Sequence, residues 1–384
     1  MTTGAIAAII FIALILSLVL TIPIGFSLGI ASLAYIFYTD QLTLGFVARN
    51  MVTGCDSFPI MAIPFFVFAG ELMSGGGISK RLLDVANVFF GRIRGGLAIV
   101  TVVVCMFFAA ISGSGPATVA AVGGMVVPTM LEKGYDKKFV LALIAAAGSI
   151  GVIIPPSIPM VVYSVTVNSS VSSLFLAGFI PGILIGVVLI FYSYFYARKQ
   201  KYTGDTEPFS GKRALREIWR GKWALLSPVI ILGGIYGGIF TPTEAAAVSV
   251  IYSLVIGLFV YKELDFRQML DVTKRACETT ATILVVIGCA NGFSKVLTLG
   301  RIPTTVATLL TTMTDSKILI LLLINLLLLL VGCFMETVCA IMILAPILFP
   351  VVTALGVDPV HFGIIMVTNL AIGFITPPLG VNLF

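Results

Sequence analysis

The 384-residue chain is 59% hydrophobic and only 10% charged, with a mean hydropathy of +1.13. No interior of this size would hide so much apolar surface, which excludes a soluble globular domain and identifies a polytopic helical membrane protein. The net charge of +6 sits in loops: residues 198–222 hold Arg198, Lys199, Lys201, Lys212, Arg213, Arg216, Arg220 and Lys222 against three acids, a positive-inside signature and not a nucleic-acid patch.

In chain order, two spans fit residues 4–21 and 23–39, with Pro23 opening the second. The first lacks a basic flank and a small-residue cleavage site, so it reads as a retained helix and not a signal peptide. A third span is expected over about 50–73, then a short polar-rich helix over 78–90. Next comes an apolar pair, 95–111 and 117–131, broken at Ser112-Gly113-Ser114-Gly115-Pro116. Each arm is short for a span of about 20 residues, so the pair reads as a re-entrant hairpin. A helix interrupted over Gly151–Pro159 follows, because Pro155-Pro156 cannot sit in a continuous helix. A full span over 173–197 closes the first half.

The order then repeats at an offset of 222: spans over 226–243 and 245–261, a third over 276–295, and a short helix over 302–312. A second pair, 317–333 and 338–353, breaks at Phe334-Met335-Glu336-Thr337, and a last helix breaks at Gly373–Pro378. Residues 128–156 align without a gap on 350–378 with eight identities: Pro128/Pro350, Gly134/Gly356, Asp136/Asp358, Ile150/Ile372, Gly151/Gly373, Ile153/Ile375 and the two double prolines. Roughly two or three would arise by chance in such a composition. The counterpart of span 173–197 would fall at about 395–419, so a longer natural chain is expected.

Arg92, Arg94, Lys133, Lys137 and Lys138 flank the first hairpin, whereas the equivalent turn at 354–361 has Asp358 and no Lys or Arg. The two hairpins are therefore expected to enter from opposite faces, an inverted-topology repeat with two re-entrant hairpins and two discontinuous helices. The organisation is a first repeat over 1–222 (scaffold about 1–73 and 172–222, transport elements about 78–170). The second covers 223–384 (scaffold about 223–275, transport elements about 276–384), with its C-terminal helix missing.

Irregular backbone at membrane depth is tolerated only where it is buried in protein or lines a watery cavity. Its freed carbonyls suit a small hard cation and its freed N–H groups suit a carboxylate. A first sodium site would combine Ser112, Gly113, Ser114 and Gly115 with Ser149, Gly151 and Pro155. A second would combine Glu336 and Thr337 with Gly373, Thr376 and Pro377, with Asn369 nearby. Substrate contacts are expected from Thr118, Pro156, Ser157, Asn369 and Asn382. Taken singly, a Gly-Ser-Gly-Pro break or a Pro-Pro pair also makes a simple packing kink. Glu336 is sharper, since a carboxylate among apolar residues is expensive. The six cysteines form no CxxC pair and His361 is the sole histidine. There is no HExxH, no GxSxG with a histidine partner and no P-loop, so neither enzyme nor cofactor is expected.

The stretches SGSGPATVAAVG (Ser112–Gly123), GSIGVIIPPSIP (Gly148–Pro159), TPTEAAA (Thr241–Ala247), METVCAIMILAPILFP (Met335–Pro350) and NLAIGFITPP (Asn369–Pro378) together resemble the large membrane subunit of tripartite ATP-independent periplasmic (TRAP) transporters. The resemblance runs end to end. It implies an elevator-type, sodium-driven importer of an organic acid in the bacterial cytoplasmic membrane, with sodium as coupling ion. The implied partners are a small four-helix membrane subunit and a soluble periplasmic substrate-binding protein. The family's sodium regions carry over to Ser112–Gly115 with Gly151–Pro156 and to Glu336–Thr337 with Gly373–Pro378. No small subunit is fused at the N-terminus, so a separate one is expected. Two rivals remain at this level: a stand-alone sodium–anion symporter and an anion channel.

Overall fold

The computed structural model describes residues 3–39, 42–204, 210–314, 316–377 and 380–383, and every regular element among them is helical. Six of these are long and apolar enough to cross a membrane: Phe58–Gly75, Val171–Lys199, Gly211–Tyr236, Pro242–Val260, Phe266–Leu299 and Thr337–Ala354. Large apolar side chains such as Ile12, Leu16, Ile180, Leu184, Leu322 and Leu326 point outward, where only lipid accommodates such a surface.

α1 (Thr3–Val19) and α2 (Ile24–Thr39) form the first two spans. The third span corrects the expectation. In place of one helix over 50–73, α3 (Leu44–Cys55) stops and α4 (Ala62–Gly75) starts afresh after a 3-10 turn at Phe58–Met61. Ser57 is extended and Pro59 sits in the first turn, so the chain cannot carry a helical hydrogen bond through this point. α5 (Ile78–Phe90), the hairpin α6 (Gly96–Ser112) and α7 (Gly115–Glu132), then α8 (Lys137–Ser149), α9 (Ile158–Val167) and α10 (Val171–Lys199) follow. Pro116, expected within the hairpin break, lies in the first turn of α7, where a missing N–H costs nothing.

α11 (Gly211–Tyr236) also differs from the expected 226–243: it begins inside the basic segment and ends before a turn at 237–240. α12 (Pro242–Val255) runs on as a π-helical stretch, Ile256–Val260. α13 (Phe266–Leu299) is continuous where its counterpart is split, because the position equivalent to Pro59 is Ala281. α14 (Ile302–Met313), the hairpin α15 (Lys317–Gly332) and α16 (Thr337–Ala354), and α17 (Pro359–Gly373) complete the helices.

The 222-residue offset is visible as structure. α7 and α16 are both 18 residues long and their bounds differ by that offset. Asp136 and Asp358 are both N-caps, accepting from Phe139 N at 3.1 Å and from Val360 N at 2.8 Å. Gly134 and Gly356 just before them have φ of +78° and +65°, a left-handed turn that glycine adopts freely. The duplicated Asp and Gly are thus duplicated turn chemistry.

α4 packs against α12 and α13, and α13 also packs against α2. α6 lies deep, with 14 of its 17 residues buried, and is covered by α7, α8 and α10. α16 packs against α9, α13, α14 and α17, so elements of both halves share one core. Glu71 on α4 pairs with Arg275 on α13 at 3.0 Å. α10 approaches closely through Gly178, Gly182 and Gly186, a small-residue stripe over Ile153, Ile154 and Met106.

A side chain at Gly178 would put its Cβ 2.8 Å from the Ile153 carbonyl oxygen, and one at Gly233 would meet nothing within 4 Å. Gly178→Val is expected to destabilise by about 1–3 kcal/mol, read as a lower melting temperature in detergent. Gly233→Ala should leave it unchanged or slightly raised.

Candidate functional site

The first hairpin tip closes on the first helix break. Gly113 takes φ +63° and ends α6, and its carbonyl accepts from Ile158 N across the break at 3.2 Å. Ser114 is the N-cap of α7, its Oγ accepting from Ala117 N at 3.4 Å. The Ser112 and Thr118 hydroxyls lie 3.1 Å apart, and Thr118 Oγ1 donates to the Ser114 carbonyl at 2.8 Å. A Cβ on Gly151 would fall 2.6 Å from Thr118 Oγ1 and 2.7 Å from the Ser114 carbonyl, so only glycine fits there. Gly115 abuts the Gly148 carbonyl and the Phe374 ring.

Past the 3-10 turn Ile150–Val152 the chain runs irregularly through the cis Pro155-Pro156 bond until Ser157 caps α9. Ser157 Oγ also donates to the Val152 carbonyl at 2.6 Å. Ser149 Oγ turns back to the Ala146 carbonyl at 2.7 Å, a bond inside its own helix. Ser112, Gly113, Ser114, Gly115, Thr118, Gly151, Pro156 and Ser157 therefore gather in one buried region of hydroxyls and carbonyls, without a formal charge.

The second hairpin repeats the backbone with different chemistry. Glu336, the residue equivalent to Ser114, caps α16 through Oε2, accepting from Val338 N at 3.1 Å and Cys339 N at 3.4 Å. Thr337 is fully buried, and its hydroxyl makes no hydrogen bond with a described residue. Such a group costs about 1–3 kcal/mol if left unsatisfied. Gly373 abuts the Gly332 backbone, where a Cβ would fall 2.3 Å from the Gly332 carbonyl carbon. Thr376 Oγ1 donates to the Ile372 carbonyl at 2.9 Å and Pro377 is exposed. Pro378, part of the expected second break, lies outside the described residues.

The remaining candidates are engaged elsewhere. The Asn369 amide donates to Asn325 Oδ1 on α15 at 2.6 Å, tying the outer arm of the hairpin to α17. The Asn382 amide donates to the Ala145 carbonyl on α8 at 3.1 Å. With Phe374 packed among Val152, Ile153 and Ala371, this bond joins the two breaks into one unit. Sequence reasoning missed Asn325, whose only signal was a polar residue in the run LLINLLLL. Among the described residues no three His, Cys, Asp or Glu side chains cluster as a metal centre would require.

Residues 11–384 match the family described as the tripartite ATP-independent periplasmic transporter, DctM component. The chain is 51% identical over 369 residues to the isethionate TRAP transporter permease protein DctMQ of Oleidesulfovibrio alaskensis, covering 96% of this chain and 58% of that protein. It is 42% identical over 399 residues to the C4-dicarboxylate TRAP transporter large permease protein DctM of Vibrio cholerae, covering 98% and 88%. It is also 39% identical over 363 residues to the sialic acid permease SiaM of the same organism, covering 94% and 84%. The Alcanivorax borkumensis YdaH transporter shares the fold, with a TM-score of 0.59 at 15% identity over 88% of this chain and 80% of that one. The chain belongs to the DctM family, a family of transport proteins and not of enzymes.

Thr118→Val keeps the shape but removes the hydroxyl that links Ser112 to the Ser114 carbonyl. It is expected to destabilise by about 1–3 kcal/mol, seen as a lower melting temperature. Thr376→Val, at a hydroxyl that only back-bonds within its own turn, should change stability by less than about 0.5 kcal/mol.

Proposed function

We propose that this chain is the large membrane permease of a TRAP system and imports an organic acid by coupling it to sodium. The observation that carries the reading is the paired arrangement of a hairpin tip closed on a helix break, occurring twice at the same sequence offset. Half-helix ends and unwound backbone near the membrane middle are what secondary transporters use to hold ions and anionic substrates. The family membership supports the same function, and the relatives named for isethionate, C4-dicarboxylates and sialic acid support an acid as cargo.

The alternation of charge between the two hairpin turns supports opposite entry of the two units and hence an inverted repeat. The scaffold would be built from about 1–73, 172–222 and 223–275, and the moving body from about 78–170 and 276–384. The first sodium would lie among Ser112, Gly113, Ser114, Gly115, Ser149, Gly151 and Pro155. The second would lie among Glu336, Thr337, Gly373, Thr376 and Pro377. The acid would meet Thr118, Pro156, Ser157, Asn369 and Asn382. Sodium orders the tips against the breaks and completes the pocket. The loaded body then moves across the bacterial inner membrane, elevator fashion. Each net positive charge carried inward gains about 2.3 kcal/mol per 100 mV. A periplasmic binding protein delivers the acid, and a small four-helix subunit packs on the scaffold.

Liposomes holding the chain with its small subunit and binding protein test the reading. An inward sodium gradient should drive acid uptake, and its collapse should stop uptake. Ser114→Trp and Thr337→Trp should each abolish uptake while the assembled complex still elutes as one species. Sodium-driven uptake at normal rate by both variants would defeat the site assignment. Uptake by the large chain alone would point to a stand-alone symporter, and sodium-independent passive flux to a channel.

A further inference from the structure

One built cavity lies outside the proposed sodium and acid sites. It lies where α5 crosses the start of α11 and the end of α12, and has a volume of about 490 Å³. Its wall is the motif Trp219-Arg220-Gly221-Lys222-Trp223, which holds both tryptophans of the chain. Gly221 is what brings the walls together: a Cβ there would fall 2.7 Å from Val85 Cγ2, so α5 lies directly on α11. That approach places Lys80 of α5 in the same cavity as Lys222.

The charges in the cavity are unequally used. Arg81 pairs with Glu263 at 2.7 Å and lies 3.6 Å over the Tyr261 ring. Arg220 pairs with Glu217 at 3.4 Å. Burial and the neighbouring Glu217 push the Asp84 carboxyl above the usual carboxylate range, against the pull of Lys80, Arg81 and Arg220. The Lys222 ammonium is held 3.6 Å over the Trp219 ring and 5.1 Å from that of Trp223, and no described carboxylate lies within ion-pair reach of it. Trp219 itself is 67% exposed, an expensive way to keep an indole unless a bilayer interface covers it. The segment 212–222 has five basic residues against Glu217 alone, which sets this end of α11 at the cytoplasmic surface.

We propose that this cavity binds the phosphate of an anionic phospholipid of the cytoplasmic leaflet. Lys222 and Lys80 are its ligands, and Trp219 and Trp223 pack along the glycerol and upper acyl chains. Basic pockets between membrane helices on this side select anionic headgroups, and an indole face holds the lysine in place while its ring sits at headgroup depth. The inference rests on the membrane orientation read from charge and not on the identity of the cargo. A bound lipid would lie between α5, which the proposed function assigns to the moving body, and α11 of the scaffold.

Both tryptophans line the cavity, so with indole-selective excitation and a tryptophan-free nanodisc belt the emission reports on it. The chain is placed in nanodiscs containing a small fixed fraction of brominated phosphatidylglycerol, or the same fraction of brominated phosphatidylcholine. The anionic lipid should quench more strongly at equal mole fraction. Its preference should fall about fivefold for each lysine removed in Lys80→Gln and Lys222→Gln, and should survive in Lys222→Arg. Arg267→Gln, at an exposed basic residue near the start of α13, should leave it intact. Equal quenching by the two lipids overturns the proposal. So does an equal loss in Arg267→Gln, which would mean diffuse surface charge, or reversal by soluble glycerol phosphate, which would mean a free-phosphate site.

Discussion

In hydrocarbon a peptide group has no water to turn to, so each place where a helix stops inside the membrane must satisfy its backbone within the protein. This chain stops at Gly113-Ser114, over Ile153–Ser157, at Cys333–Glu336 and after Gly373. At three of those places the restarting helix is capped by a side chain at its N-terminus: Ser114, Ser157 and Glu336. The caps do more than stabilise ends. They fix where each half-helix dipole points and leave carbonyls of the preceding segment turned inward. Gly113, Gly151 and Gly373 then let these ends approach to distances a Cβ would forbid.

The same constraint explains why the breaks stand against each other. The Gly113 carbonyl is satisfied by Ile158 N, from the other break element. The Asn382 amide reaches back to α8, and Phe374 fills the gap between the two units. Neither break could be straightened without stripping partners from the other. The Gly113–Ile158 and Asn382–Ala145 bonds and the Phe374 packing hold these elements together.

Much of this was legible in the sequence wherever a residue type has one physical use. Asp136 and Asp358, Gly134 and Gly356, and Pro155-Pro156 each specify a turn, and the constant spacing of the matched residues marks the repeat. The split of the third span was also written there, in Pro59 against Ala281, but a hydropathy reading averages over a single proline. The stripe Gly178, Gly182, Gly186 has helical spacing, but glycine is common in membrane helices and the spacing alone does not say which neighbour it meets. Least legible was the pairing of Asn369. From sequence it reads as a polar group free for a ligand. Its partner Asn325 lies 44 residues away on another helix, and only the packing of α15 on α17 brings them together.

The repeat is twofold in backbone and not in chemistry. The hydroxyl pair Ser112 and Thr118 has Phe334 and Ala340 as its equivalents, while the neutral cap Ser114 becomes the carboxylate Glu336. The first tip therefore presents only hydroxyl and carbonyl dipoles, and the second adds a carboxyl group. Under the proposed function, an ionised Glu336 with no cation beside it would repel an acid group entering the region. A cation seated at the second tip would offset that repulsion. Under the proposed function, cation binding at the second hairpin and acid binding therefore favour one another.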